Sequence, residues 1–174
     1  MFIEKIKHFL NAFIEFLGRS IAWLTLFMVL VTFIIVVLRY IFDIGSIALQ
    51  ESVVWMHAAV FMLGASYTLK HDEHVRVDIF YREMNAVKKA IVDLLGTLFF
   101  LIPFSVFILL SSWDYVLTSW SIKEASREVG GLPYPFYSIL KSFIPMMAIT
   151  LIFQAVANLI KGTILLINNI EKEK

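Results

Sequence analysis

The chain has 174 residues, of which 60% are hydrophobic and 15% aromatic, and its mean hydropathy of +0.82 is too high for a soluble domain of this length. Fifteen basic and 14 acidic residues leave a formal charge of +1, so there is no basic excess to hold nucleic acid. The absence of cysteine excludes disulfides, thiolate metal sites and cysteine nucleophiles.

Residues 1–18 place Phe2, Ile6, Leu10, Phe13 and Leu17 at helical spacing, with Glu4, Lys5, Lys7, His8, Asn11 and Glu15 mostly opposite. This pattern predicts an amphipathic helix lying at the membrane interface, turning into the first span at Gly18-Arg19-Ser20. A cleaved signal peptide fits less well. The apolar run that follows is longer than an h-region, and no small-x-small cleavage site comes after it.

Four runs lack Asp, Glu, Lys and Arg altogether: Ser20–Leu38, Ser52–Leu69, Leu94–Trp113 and Ser142–Ile160, of 19, 18, 20 and 19 residues. A hydrocarbon core of about 30 Å needs roughly 20 apolar residues in a helix, so each is predicted to span a bilayer. The expected fold is a single all-α integral membrane domain over residues 1–174, with four transmembrane helices after the interfacial one. Lys and Arg number 11 in the segments 1–19, 70–93 and 161–174, against four in the two intervening connections. By the positive-inside rule both termini are cytoplasmic (N-in, C-in). The tryptophans follow the same frame, with Trp23 at one interface and Trp55, Trp113 and Trp120 near the other.

The first connection is short, and Asp43-Ile44-Gly45-Ser46 reads as a turn ending in a helix N-cap, making spans one and two a hairpin. The second connection restarts as a helix near Asn85. Gly96 and Pro103 then mark an irregularity in span three. Tyr115, Leu117, Trp120 and Ile122 keep helical spacing, so span three is expected to project outward from Asp114 to Val129. Gly130-Gly131-Leu132-Pro133-Tyr134-Pro135 reverses the chain toward span four.

Few residues offer chemistry. His57 is the one titratable group within a charge-free run; it reads either as a hydrogen-bonding partner of a neighbouring helix or as a haem ligand, and spans one, three and four hold no second histidine. His71-Asp72-Glu73-His74 contains metal-ligating types, but as one run at the end of a span it reads as a solvated exit. The serines form no nucleophile elbow, and with Gly64 and Ala65 they fit helix packing. Gln154 and Asn158 form a polar stripe on span four, for contact either with another membrane chain or within the bundle. No catalytic residue, metal site or cofactor is expected.

Taken in order, these features resemble the small membrane subunit of a tripartite ATP-independent periplasmic (TRAP) transporter. The match runs from Arg39-Tyr40-Ile41-Phe42 through Glu51, Trp55, Phe61 and Gly64-Ala65 to His74-Val75-Arg76-Val77-Asp78, then through Gly131-Leu132-Pro133, Pro135, Lys141, Pro145 and Gln154. Tyr134-Pro135 stands where the family often has Trp-Pro, and Met146-Met147 where it often has a small residue. The resemblance implies a non-catalytic, four-span scaffold in the bacterial inner membrane. Its partners would be a large multi-span permease subunit, a periplasmic substrate-binding protein and membrane lipids, in a sodium-coupled importer of C4-dicarboxylate or sialic-acid-like organic acids. Candidate partner contacts are Arg39, Glu51, Trp55, His74, Asp78, Trp120, Gln154 and Asn158. The alternative is a haem- or quinone-binding membrane anchor of a respiratory complex, with His57 and His71 or His74 as ligands.

Overall fold

A computed structural model describes residues 2–73 and 78–172, and among them every regular element is helical. They are α1 (Phe2–Ile41), α2 (Ile47–Lys70), the single turn α3 (Asp78–Tyr81), α4 (Ala86–Gly96), a π-helical stretch (Thr97–Leu101), α5 (Ile102–Ser121) and α6 (Phe136–Lys172). Four segments are long and apolar enough to cross a membrane: Glu4–Ile41, Ile47–Lys70, Ala86–Ser121 and Phe136–Asn169. They match the four charge-free runs and extend each of them.

The expected turn at Gly18 does not occur, because α1 runs unbroken through it. Gly18 serves a different purpose. A Cβ there would sit 2.2 Å from the Tyr67 ring, so the missing side chain is what lets α1 lie against α2. The residues before it continue along the bundle: Ile14 is fully buried, and the Phe13 ring meets that of Phe153 edge-on at 6.0 Å. Part of the stripe predicted to face lipid therefore packs on α6.

The α1–α2 connection forms as its residues dictate. Asp43 takes a positive φ of 56°, and Ser46 caps α2 by accepting from the Leu49 N–H at 3.4 Å. Asn85 likewise caps α4, accepting from the Lys88 N–H at 2.9 Å. Pro103 sits in the first turn of α5, where its missing N–H and its ring would disturb a continuous α-helix. The π stretch just before it absorbs the disturbance, with the Ile102 N–H bonding back to the Thr97 carbonyl.

Helix α6 is the centre of the fold, packing against α1, α2, α4 and α5. Ile21, Ala59, Leu63 and Phe143 join α1, α2 and α6 in an apolar core flanked by Trp55. The α5 contact is built on small residues. Ser105, Ser112 and Ser119 recur every seven residues and are buried, while α6 contributes Ser138, Ala148 and Ala155, each fully buried. Such side chains let two backbones approach closely, and where they can they hydrogen-bond across the gap. Ser119 and Ser138 do so, at 3.2 Å between hydroxyls and 3.0 Å from the Ser138 hydroxyl to the Ser119 carbonyl. Gly64, expected to aid close packing, has open space where its Cβ would be.

Candidate functional site

The α5–α6 connection carries the densest polar organisation at its end of the bundle. Helix α5 stops at Ser121 rather than projecting to Val129. Lys123 adopts a φ of 51°, and the Lys123 and Glu124 N–H groups turn back to the carbonyls of Trp120 and Ser119, which closes the helix. The chain then folds on itself: the Ser126 N–H donates to the Leu132 carbonyl at 3.0 Å and the Gly131 N–H to the Glu128 carbonyl at 3.1 Å. Gly130 supplies a φ of +80°, and the Tyr134-Pro135 peptide is cis.

One carboxylate on α2 pins this loop. Glu51 accepts from the Leu132 N–H at 2.6 Å, the Ser126 hydroxyl at 2.5 Å and the Tyr137 hydroxyl at 3.1 Å. An ionised carboxylate has about four acceptor positions, so three converging donors nearly saturate it. The approach requires a bare backbone. A Cβ on Gly131 would lie 2.3 Å from the Ser126 Oγ and 2.7 Å from the Glu51 Oε2. One turn further along α2, Trp55 donates its indole N–H to the Phe136 carbonyl at 3.1 Å and packs edge-on to Phe136 and Phe143. Glu51 and Trp55 thus hold both the loop and the start of α6.

A second pair fixes the far side of the loop. Lys141 donates to Glu124 at 2.5 Å and lies 4.1 Å from the centre of the Tyr115 ring. The Lys141 ammonium and the Ser119 hydroxyl hold the Glu124 carboxyl below its usual range, against a smaller opposing effect of burial. Trp120 donates to the Ser142 hydroxyl at 3.0 Å and meets Tyr134 edge-on.

The opposite end has a comparable node. Glu15 accepts from Arg19 at 2.8 Å, Lys70 at 2.5 Å and His71 at 3.0 Å, while Lys70 also donates to the Asn11 carbonyl. These contacts tie α1 to the end of α2.

A profile of the family described as "Tripartite ATP-independent periplasmic transporters, DctQ component" matches residues 28–164, most of the chain and both elements joined by Glu51. The chain belongs to that family. A curated relative, the C4-dicarboxylate TRAP transporter small permease protein DctQ of Vibrio cholerae serotype O1, is 30% identical over 134 residues. That alignment covers 77% of this chain and 53% of the relative, so the chain spans about half the length of the curated relative it matches. No solved structure matches.

In this DctQ-family chain, the predicted contact residues fall into separate groups. Glu51, Trp55 and Trp120 gather around the α5–α6 loop. Gln154 and Asn158 pair with each other at 2.9 Å along α6; Gln154 is buried within the bundle, whereas Asn158 is half-buried. Arg39 is exposed in the last turn of α1, where it lines a small recess with Ser46, Leu49 and Gln50. His74 lies outside the described residues, as does the side chain of Asp78. His57, expected to hydrogen-bond a neighbouring helix, is instead exposed on the outer face and stacked on Phe61 at 6.3 Å. The pattern in sequence gave no sign of Ser126, Tyr137 or Glu15. Each is recognisable only once residues 55 to 86 positions apart are brought together.

Proposed function

We propose that this chain is the static small subunit of a sodium-coupled TRAP importer of organic acids, C4-dicarboxylate or sialic-acid-like. In this reading it pairs with a large permease subunit in the bacterial inner membrane, with both termini cytoplasmic. The carbohydrate- or dicarboxylate-sized cargo and its sodium ions are handled by the large chain. The Glu51-pinned loop, on the periplasmic side, helps to dock the substrate-binding protein.

The observation that carries the docking role is the Glu51 carboxylate with its three converging donors, which commits most of its acceptor positions to fixing the loop. A docking surface needs a fixed shape because each segment ordered on binding costs affinity. The spans support the scaffold role, since the charge-free runs keep charged side chains to their ends, where two pairs form, Glu15 with Lys70 and Glu124 with Lys141. The reading is tested by reconstituting the full transporter with the wild-type chain or the Glu51→Ala chain and titrating the binding protein. The variant should need several-fold more binding protein for half-maximal uptake, with maximal uptake retained. An unchanged half-saturation would refute the docking role.

The His57–His71 pairing of the haem-anchor alternative loses its geometry. His57 and His71 are 14 positions apart on one helical path, about 21 Å at 1.5 Å per residue, so they cannot share an iron.

A further inference from the structure

Two adjoining cavities lie between the end of α2, helix α4 and the middle of α6, at the end of the bundle opposite Glu51. They have different characters. One, of about 500 Å³, is walled by apolar groups including Phe80, Met84, Val92 and Leu101. The other, of about 280 Å³, is lined by Lys70, Lys89 and Lys161 together with Asp72 and Asp93. Both share Leu69, Asp93 and Asn158, so they form one amphipathic recess.

The charges in the polar chamber are not evenly committed. Lys70 is held by Glu15 and the Asn11 carbonyl. Asp93 accepts from the Tyr81 hydroxyl at 2.8 Å, and both aspartates have further interactions of their own. Lys89 lies 5.3 Å from the centre of the Tyr81 ring, and neither it nor Lys161 has a carboxylate partner among the described residues. Among the described residues these two cations therefore line the chamber without an ion pair, beside aspartates engaged elsewhere, and lysines outnumber aspartates in its wall by three to two.

Position decides what they suit. Lys70 and Lys161 stand immediately after the charge-free runs of α2 and α6, and Lys89 stands in the first turn of α4, ahead of the third run. The polar chamber is thus at a membrane boundary. The apolar chamber continues along α4 and the π stretch to Leu101, 12 residues past Lys89 and about 18 Å deeper at 1.5 Å per residue. A cationic mouth at the headgroup level above an apolar slot has the polarity of a phospholipid.

We propose that this recess is a binding site for a membrane phospholipid, its phosphate held by Lys89 and Lys161 and an acyl chain lying along Val92 and Leu101. The site rests on this chain alone and is independent of any role in transport. Lipid held here bridges α2, α4 and α6 where side chains leave a gap.

Native mass spectrometry of the purified, delipidated full chain, titrated with dioleoylphosphatidylglycerol, tests the proposal. The wild type should hold one lipid, and the Lys89→Ala/Lys161→Ala chain should hold at least fivefold less at equal concentration. Lys123→Ala, at the other end, should bind as the wild type does. Val92→Trp, which fills the apolar chamber and leaves both lysines in place, should also lower binding several-fold. Millimolar inorganic phosphate should not displace the lipid. Equal binding by the double variant and the wild type would overturn the proposal, as would displacement by phosphate alone. A lysine-dependent dimer of the chain appearing in place of the lipid adduct would do the same.

Discussion

Replacing Glu51 by alanine removes the acceptor for three donors at once, two hydroxyls and the backbone N–H of Leu132. The hydroxyls can rotate toward water, whereas the Leu132 N–H is fixed in direction by its peptide plane and depends on the carboxylate. A hydrogen bond to a charged group shifts a local opening equilibrium by about 10- to 100-fold. Amide exchange at Leu132 should therefore accelerate by about that factor, with the neighbouring Ser126 and Gly131 amides following because their bonds close the same loop. Hydrogen–deuterium exchange of the detergent-solubilised chain, read on peptides covering 122–135, measures it. Peptides from the α1–α2 core around Ile21 and Leu63 should exchange as in the wild type. Glu51→Gln should fall between, since one oxygen remains to accept while the new NH2 faces a donor. An unchanged Leu132 amide in Glu51→Ala would refute the view that this carboxylate organises the loop.

Four further outcomes follow from the packing and charges. Gly18→Ala places a methyl 2.2 Å from the Tyr67 ring and should cost about 1–3 kcal/mol of overpacking, seen as a lower Tm, with recovery in Gly18→Ala/Tyr67→Ala. Ser112→Leu forces a bulky side chain into the small-residue seam between α5 and α6; a loss of about 1–3 kcal/mol is expected in a denaturant titration, whereas Ser121→Leu, exposed at the end of α5, should be near neutral. Because Glu124 has a folded-state pKa held below its ordinary 4.5 by Lys141, its contribution is fully present above pH 4.5 and lost as pH falls through the lowered value. A loop-exchange pH profile should show that loss, and Glu124→Gln should flatten it. The purified chain should give a featureless visible spectrum; a Soret band at stoichiometric haem would restore the respiratory-anchor reading.

The four spans were legible because absence of charge over 18 to 20 residues is a local property. So were the Ser46 cap, the helix start near Asn85 and the disturbance at Pro103, which depend on residues within one or two turns. Gly18 misled because glycine permits a turn and a close helix approach equally well, and only Tyr67, 49 positions away, decides between them. The periodicity through Ile122 misled in a related way: it predicts helix up to Val129, but the loop gains more by folding back onto Glu51 than by extending into water. Glu51 and Trp55 could be named as candidates from their place at the edge of a span. Their partners could not, since Ser126, Leu132, Phe136 and Tyr137 lie 75 to 86 positions away from the residues they bind.

The most direct test of the scaffold account is radiolabelled organic-acid uptake into sodium-loaded gradients across proteoliposome membranes. The liposomes would contain this chain alone, or this chain with a large TRAP permease subunit and its binding protein. The account predicts uptake above empty liposomes only for the complete set, abolished when the sodium gradient is removed. Accumulation of the acid by this chain alone would contradict it.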